Sequence, residues 1–403
     1  MPLSDATLRY AEELTTALLG LDALYAREQG KDPFSGDADI DRLVVLNMST
    51  THRPDAFASY FDAQARFGEL RDAAAALPEA DRQVYYRQTC GSAISFATWR
   101  EEGLPFERQL TGFLHVPAAP PEPDELDAIH TAMRPVLRDL GFDGGVEPGV
   151  KAWEARTSVP ADKVEDVLND LMSQAWDLTA ERMAIPAGKS DGMRVETVRD
   201  VPYNAMCDYK RRLVRLNLDP VLTMAGLRHL AVHEGCPGHY VQFKRREAGY
   251  AAGTSPADVL LSVVNTASST PFEGIADAGM AIIGWDVGAD DRLGALLTRY
   301  RSGLAARAAW RLHGEGWSPA AVRDELLADA LTGGEAWVDS RMRFISADDR
   351  AVLIWSYWHG EPSVSALWAR VADRPEAHPA YFDFLYDRMH SRESLALFEA
   401  PSA

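Results

Sequence analysis

The sequence predicts a mainly α-helical, multi-helix fold with one small β-sheet or hairpin. Three observations carry that expectation. Long stretches repeat apolar residues at intervals of three and four, which places them on one face of a helix. One short region alternates apolar and polar residues instead, as a half-buried strand does. A proline-rich segment separates an N-terminal part from the remainder.

The helical stretches are Thr7 to Glu28, Asp55 to Ala76, Asp124 to Leu140, Ala161 to Arg182 and Pro319 to Leu331. Ser318 followed by Pro319 offers an N-cap with proline at the first helical position, and Ser346 with Asp349 fits a capping box. The segment from Pro117 to Pro123 cannot be helical. Residues 1–118 are therefore expected as an N-terminal helical lobe and 119–403 as a second region, the two packed as one compact unit. The strand-like residues are Met193 to Val198 and Asp208 to Leu218, and Arg350 to Trp358 reads as an apolar helix.

With 46% hydrophobic and 25% charged residues, a chain of 403 residues can bury a sizeable core. Its 60 acidic residues outweigh 41 basic ones, of which only six are lysine, for a net charge of −19. Such a surface repels phosphate backbones and anionic lipid, so neither nucleic acid nor a membrane is expected as a partner. Met1 to Arg9 lacks a basic segment followed by an apolar run, and no stretch has 18 consecutive apolar residues; a cytoplasmic location is expected. The cysteines at 90, 207 and 236 are odd in number and widely spaced, which argues against a disulfide framework. Cys236 reads as a small buried filler.

The residues that carry chemistry follow the strand-like region. An apolar stretch, Val221 to Val232, ends in His233, Glu234, Gly235, Cys236, Pro237, Gly238, His239, Tyr240, Val241 and Gln242. In the zinc signature H-E-x-x-H, histidines four apart share one helix face and one ion, while the glutamate activates water. Here the second histidine comes six residues after the first. On a regular helix it would lie about 120° round the axis, too far to share an ion. Pro237 removes the hydrogen bond to the His233 carbonyl, so the helix must widen or break between Gly235 and Gly238. Gly238, free to adopt positive φ, helps to absorb the two extra residues and return His239 to His233.

A hydrolytic zinc site needs a third ligand. Glu273, 34 residues after His239 in the helix opening at Thr270, completes a His₂Glu set. Asp277, one turn on, is placed to accept the outer ring N–H of a ligating histidine. Thr270 and Glu273 also fit a capping box, which would leave the carboxylate a purely local role.

These residues resemble the bacterial domain-of-unknown-function family 885, whose H-E-x-x-P-G-H-x-x-Q motif places it among gluzincin-like zinc metallopeptidases. His233, Glu234, Pro237, Gly238, His239 and Gln242 match that motif position by position. Glu273-Gly274, the run from Leu312 through His313 to Trp317, and Ser356-Tyr357 with Gly360 match further family features, so the resemblance covers roughly Met193 to Trp368. It implies a gluzincin-like metallohydrolase with Zn²⁺ held by His233, His239 and Glu273 between helices at about 221–249 and 270–285. Glu234 would be the general base, Tyr357 and His313 would hold an oxyanion or the substrate, and Asp277 and Gln242 would support the ligands from behind. Two departures stand out: family members are longer at the N-terminal end, and Trp358 to Pro362 differs from the usual residues after the tyrosine.

The expected partner is a peptide or a small amide-containing substrate, with a homodimer as a further expectation. Tyr209 to Leu218 reads as an edge strand able to pair with an extended peptide, or as a solvated face whose Arg211, Arg212 and Arg215 capture a carboxylate. Histidines at 52, 115, 130, 229, 378 and 390 lack ligand spacing and read as structural. Two other readings stay open: a zinc enzyme acting on a small metabolite, and an inactive helical scaffold that keeps the motif.

Overall fold

The computed structural model describes residues 3–32, 42–183, 191–201, 203–286 and 288–401. The protein is mainly helical, with two small sheets built from β1 (Val44–Asn47), β2 (Arg194–Val198), β3 (Ala205–Asp208), β4 (Leu213–Asn217) and β5 (Leu261–Val263). The chain divides into two compact units, one of residues 1–118, 241–274 and 359–403, the other of 119–240 and 275–358. Three of the crossings between them fall inside continuous helices, at His239–Ala251, Ser269–Asp277 and Ile354–Ala369.

In the first unit, the helix Asp5–Glu28 opens at Ser4, whose hydroxyl accepts from the Thr7 amide at 3.2 Å. Its apolar stripe buries Leu14, Leu18 and Leu21. The helix Tyr60–Ala74 starts five residues later than its periodicity alone suggests, because Ser59 and Asp62 form a reciprocal capping box. β1 runs antiparallel to β5, with Val44 opposite Val263, and Asp22 anchors it by accepting from the Val44 amide at 3.0 Å. The helix Ala80–Glu102 carries Arg82, fully buried, which donates to the Met389 carbonyl at 2.7 Å and pairs with Asp81 at 3.1 Å. The helices Ser269–Asp277 and Ile354–Ala369 cross at Gly274 and Gly360, where a Cβ on either would enter the backbone of the other.

In the second unit, β2 pairs parallel with β4 and β3 antiparallel with it, so the order is β2-β4-β3. Val195, Val214 and Leu216 pack on Leu168, Leu171 and Met172 of the helix Val164–Arg182, and on Leu227 and Ala231 just before the motif. β4 is therefore the central strand. The expected edge strand is internal, and a peptide cannot pair with it. Arg215 and Arg211 lie 3.5 and 3.7 Å from Asp208, and Arg212 donates to the Asp191 carbonyl at 2.8 Å, so these arginines staple the sheet and its approach.

Other boundaries follow the sequence or depart from it for local reasons. Pro123 begins the helix Pro123–Asp139, and Ser318 caps Pro319–Asp329 by accepting from the Ala321 amide at 3.2 Å. Ser346 does not start a helix; it closes Gly334–Ile345, with its amide donating to the Met342 carbonyl at 3.0 Å. The helix expected at 350–358 instead begins at Ile354 and continues to Ala369 through Pro362. A proline there orphans the Trp358 carbonyl, and the Arg299 guanidinium, stacked 3.5 Å from the Trp358 ring, donates to that oxygen. Tyr357 thus lies in the first turn of a long helix.

Replacing Asp81 by Asn should leave Arg82 as a buried charge without its carboxylate and lower stability by about 3 kcal/mol, read from urea unfolding. Burial alone would raise the Asp81 carboxyl, but Arg82, His390 and Arg388 hold it below its ordinary value of 3.8. Its stabilisation is therefore complete above that value and lost as pH falls through and below it. The acid-side decline should be shallower in Asp81→Asn than in the wild type.

Candidate metal centre

Thr223 caps the helix Met224–Leu230, its hydroxyl accepting from the Gly226 amide at 3.0 Å. The helix then widens into a π-turn over Ala231–Gly235, closed by the Cys236 amide donating to the Ala231 carbonyl at 3.2 Å. The Cys236–Pro237 peptide is cis, the Gly238 amide reaches the Val232 carbonyl at 3.0 Å, and a new helix begins at His239. Across this break the His233 and His239 rings come to 4.7 Å between centroids at an interplanar angle of 81°. Both residues are buried.

Gly238 serves a different purpose from the one its sequence position suggests. It does not adopt positive φ. A Cβ there would sit well inside contact with the carbonyl oxygens of Val232 and His233, so the break can close only over a residue without a side chain. Gly279 leaves room from the other side, where a Cβ would meet the Val232 side chain and press on the Pro237 ring.

Asp277 accepts from His233 Nδ1 at 2.8 Å, and His229 Nε2 approaches the same carboxylate oxygen at 3.4 Å. Burial alone would raise the Asp277 carboxyl; the His233 and His229 imidazoles overcome that and hold it well below the usual carboxylate range. With Nδ1 so engaged, Nε2 is the atom His233 can offer to an ion. His229 was expected to be merely structural. It precedes His233 by one helical turn, and that spacing of four was the signal for a shared partner.

Glu273 sits one turn before Asp277 on the helix Ser269–Asp277. That helix begins before Thr270, so Thr270 is not its cap and the capping-box reading of Glu273 does not hold. One ligand atom each from His233, His239 and Glu273 lie within 4.8 Å of one another. Two imidazoles and a carboxylate so close, with one ring nitrogen already committed to Asp277, are a donor set that suits a zinc-sized cation. Gln242 donates to the Phe272 carbonyl at 3.1 Å and accepts from Arg246 at 3.0 Å, so it holds the backbone next to Glu273.

Glu234 is buried in the π-turn. Burial, then the charges of Glu234, Cys236 and Asp208, push the Cys207 thiol up. β3, rather than β4, is thus the edge strand beside the motif. The Tyr357 ring stacks on that of His233, with centroids 6.5 Å apart and planes at 23°. His313 lies in a second π-turn, Trp310–Gly314, and its Nε2 bonds the Ile345 carbonyl at 2.6 Å, which ties it to the backbone of the helix Gly334–Ile345.

With an ion held by this group, Asp277→Ala should weaken its binding by about 10–100-fold in a chelator competition, since the ring loses the partner that orients it. His229→Phe should weaken it less, because His233 keeps its bond to Asp277. Gly238→Ala should cost at least about 3 kcal/mol of stability, the overpacking having no flexible atom to yield; a melting curve equal to the wild type would refute the close approach.

No protein-family model matches the chain, and no curated protein does. Among solved structures it is similar to a candidate lipoprotein from Colwellia psychrerythraea, with a TM-score of 0.56 and 13% identity over 83% of this chain and 65% of that one. It is also similar to a candidate lipoprotein of unknown function from Shewanella oneidensis, with a TM-score of 0.52 and 13% identity over 83% of this chain and 70% of that one. The chain thus spans about two thirds of the length of these structures, and the likeness is one of fold alone. Among the described residues no helix is long and apolar enough to cross a membrane.

Proposed function

We propose that the chain is a zinc-dependent hydrolase of amide or peptide bonds, akin in its motif to family 885 and the gluzincins. The observation that carries this reading is the return of His239 to His233 across a break that Pro237, Gly238 and Gly279 make room for, with Asp277 behind His233. A surface helix ending in two histidines needs none of that machinery.

His233, His239 and Glu273 would hold the ion, which when bound polarises a carbonyl and acidifies water. Glu234 takes the proton of the attacking water and passes it to the leaving amine. Asp277 keeps His233 in the tautomer that presents Nε2. Tyr357, stacked on the same ring, donates its hydroxyl to the developing oxyanion. His313, bonded to the Ile345 carbonyl, is better suited to holding the helix Gly334–Ile345 than to touching the substrate.

After zinc supplementation the purified protein should carry close to one ion per chain by mass spectrometry, and a stoichiometry far below one favours a scaffold. Glu234→Gln should keep that zinc and lower kcat on amide substrates by about 10²–10⁴-fold. Turnover retained in this variant would remove Glu234 from the role of base.

A further inference from the structure

The helix that carries the motif brings a second imidazole to Asp277. His229 and His233 are four residues apart, the spacing by which one helix face presents two imidazoles to a single ion. His229 lies in the last turn of the helix Met224–Leu230, His233 in the π-turn that follows, and their rings are 5.5 Å apart between centroids. Asp277 Oδ1 lies 2.8 Å from His233 Nδ1 and 3.4 Å from His229 Nε2. One ligand atom from each of the three residues lies within 4.8 Å of the others, and all three belong to the same compact unit.

A carboxylate that only orients His233 needs one ring, and here a second ring arrives at the same oxygen from one turn earlier. Two donors on a tetrahedral zinc ion, each about 2.1 Å from it, stand roughly 3.4 Å from each other. The atoms around Asp277 therefore need to part only slightly to admit an ion. The side chains of His229, His233 and Asp277 are 27%, 9% and 11% exposed, so the His229 side of the group faces solvent, from which an ion and its remaining water ligand can enter. Two imidazoles and one carboxylate suit zinc or cobalt better than calcium or magnesium, which prefer oxygen throughout. A neutral imidazole has one lone pair. When His233 Nδ1 binds an ion, the ring proton sits on Nε2, and His233 cannot then serve the group it forms with His239 and Glu273.

We propose that His229, His233 and Asp277 form a second position for a zinc-type divalent cation, in competition with the one formed by His233, His239 and Glu273. This rests on the zinc-hydrolase reading for the competition only, not for the coordination. On entry the ion replaces the proton between His233 Nδ1 and Asp277, and that proton moves to Nε2 of the same ring. The ion is then held at Nδ1 instead of Nε2 and is inactive there. The chain binds one ion at a time and divides it between a working and a resting position.

The test titrates the metal-free, full-length protein with Zn²⁺ and with Co²⁺, read by equilibrium dialysis and, for cobalt, by visible absorption. His239→Ala combined with Glu273→Gln removes the other two ligands of the first position and leaves the second group whole. This double variant should still bind close to one ion per chain, and adding His229→Phe should weaken that binding by at least about tenfold. The wild type should bind one ion and not two. A folded double variant that binds no ion overturns the proposal, as does binding that His229→Phe leaves unchanged, or two ions held at once by the wild type. Should the double variant unfold, His239→Ala alone takes its place with the same readouts. Zinc held by the wild type and lost in the double variant removes the second position and leaves the hydrolase reading standing. Zinc kept by the double variant through His229, with no amide turnover by the wild type, would sink the hydrolase reading and leave the second position standing.

Discussion

A helix that meets a proline loses one hydrogen bond, and here the carbonyl left over is that of His233. The turn before it widens by one residue, the chain breaks at Cys236, and the Gly238 amide reaches back to Val232. Because this closure brings backbone against backbone, position 238 must lack a side chain, while Gly279 on the facing segment leaves room for the side chains of Val232 and Pro237. The spacing of six between the histidines, the Pro-Gly pair and the distant Gly279 are consequences of one lost hydrogen bond. A regular helix would carry the second histidine about a third of a turn away from the first.

Buried charge is the second organising constraint. A carboxylate taken from water is costly unless close partners replace its hydration, and Asp277 has two, one turn apart on the motif helix. That arrangement fixes which nitrogen of His233 faces outward. The same physics closes the first unit, where Arg82 is matched by Asp81 and by a main-chain carbonyl.

The helix bearing Glu273 and Asp277 owes its place to Gly274. Gly360 opposes it, and the pair lets two backbones approach as no side chain would allow. Pro362 would ordinarily stop the opposing helix close by. It continues because Arg299 accepts the burden of the orphaned Trp358 carbonyl, and Tyr357 is thereby held on a regular first turn instead of a frayed end.

Local chemistry was legible in the sequence. Apolar periodicity marked the long helices, Ser318-Pro319 marked a start, and the spacing of His233, Pro237 and His239 required a break where one occurs. These depend on neighbours within a turn or two, which any reader of the chain has in hand. The role of His229, the central position of β4, the closing of a helix at Ser346 and the extension of another through Pro362 were not legible. Each depends on a partner far along the chain, Asp277 for His229, β2 and β3 for β4, Arg299 for Trp358. The sequence by itself determined which residues could hold a cation and that the helix between them had to open. Tertiary structure alone decided which nitrogen His233 presents, because that follows from a distance between segments that no local rule encodes.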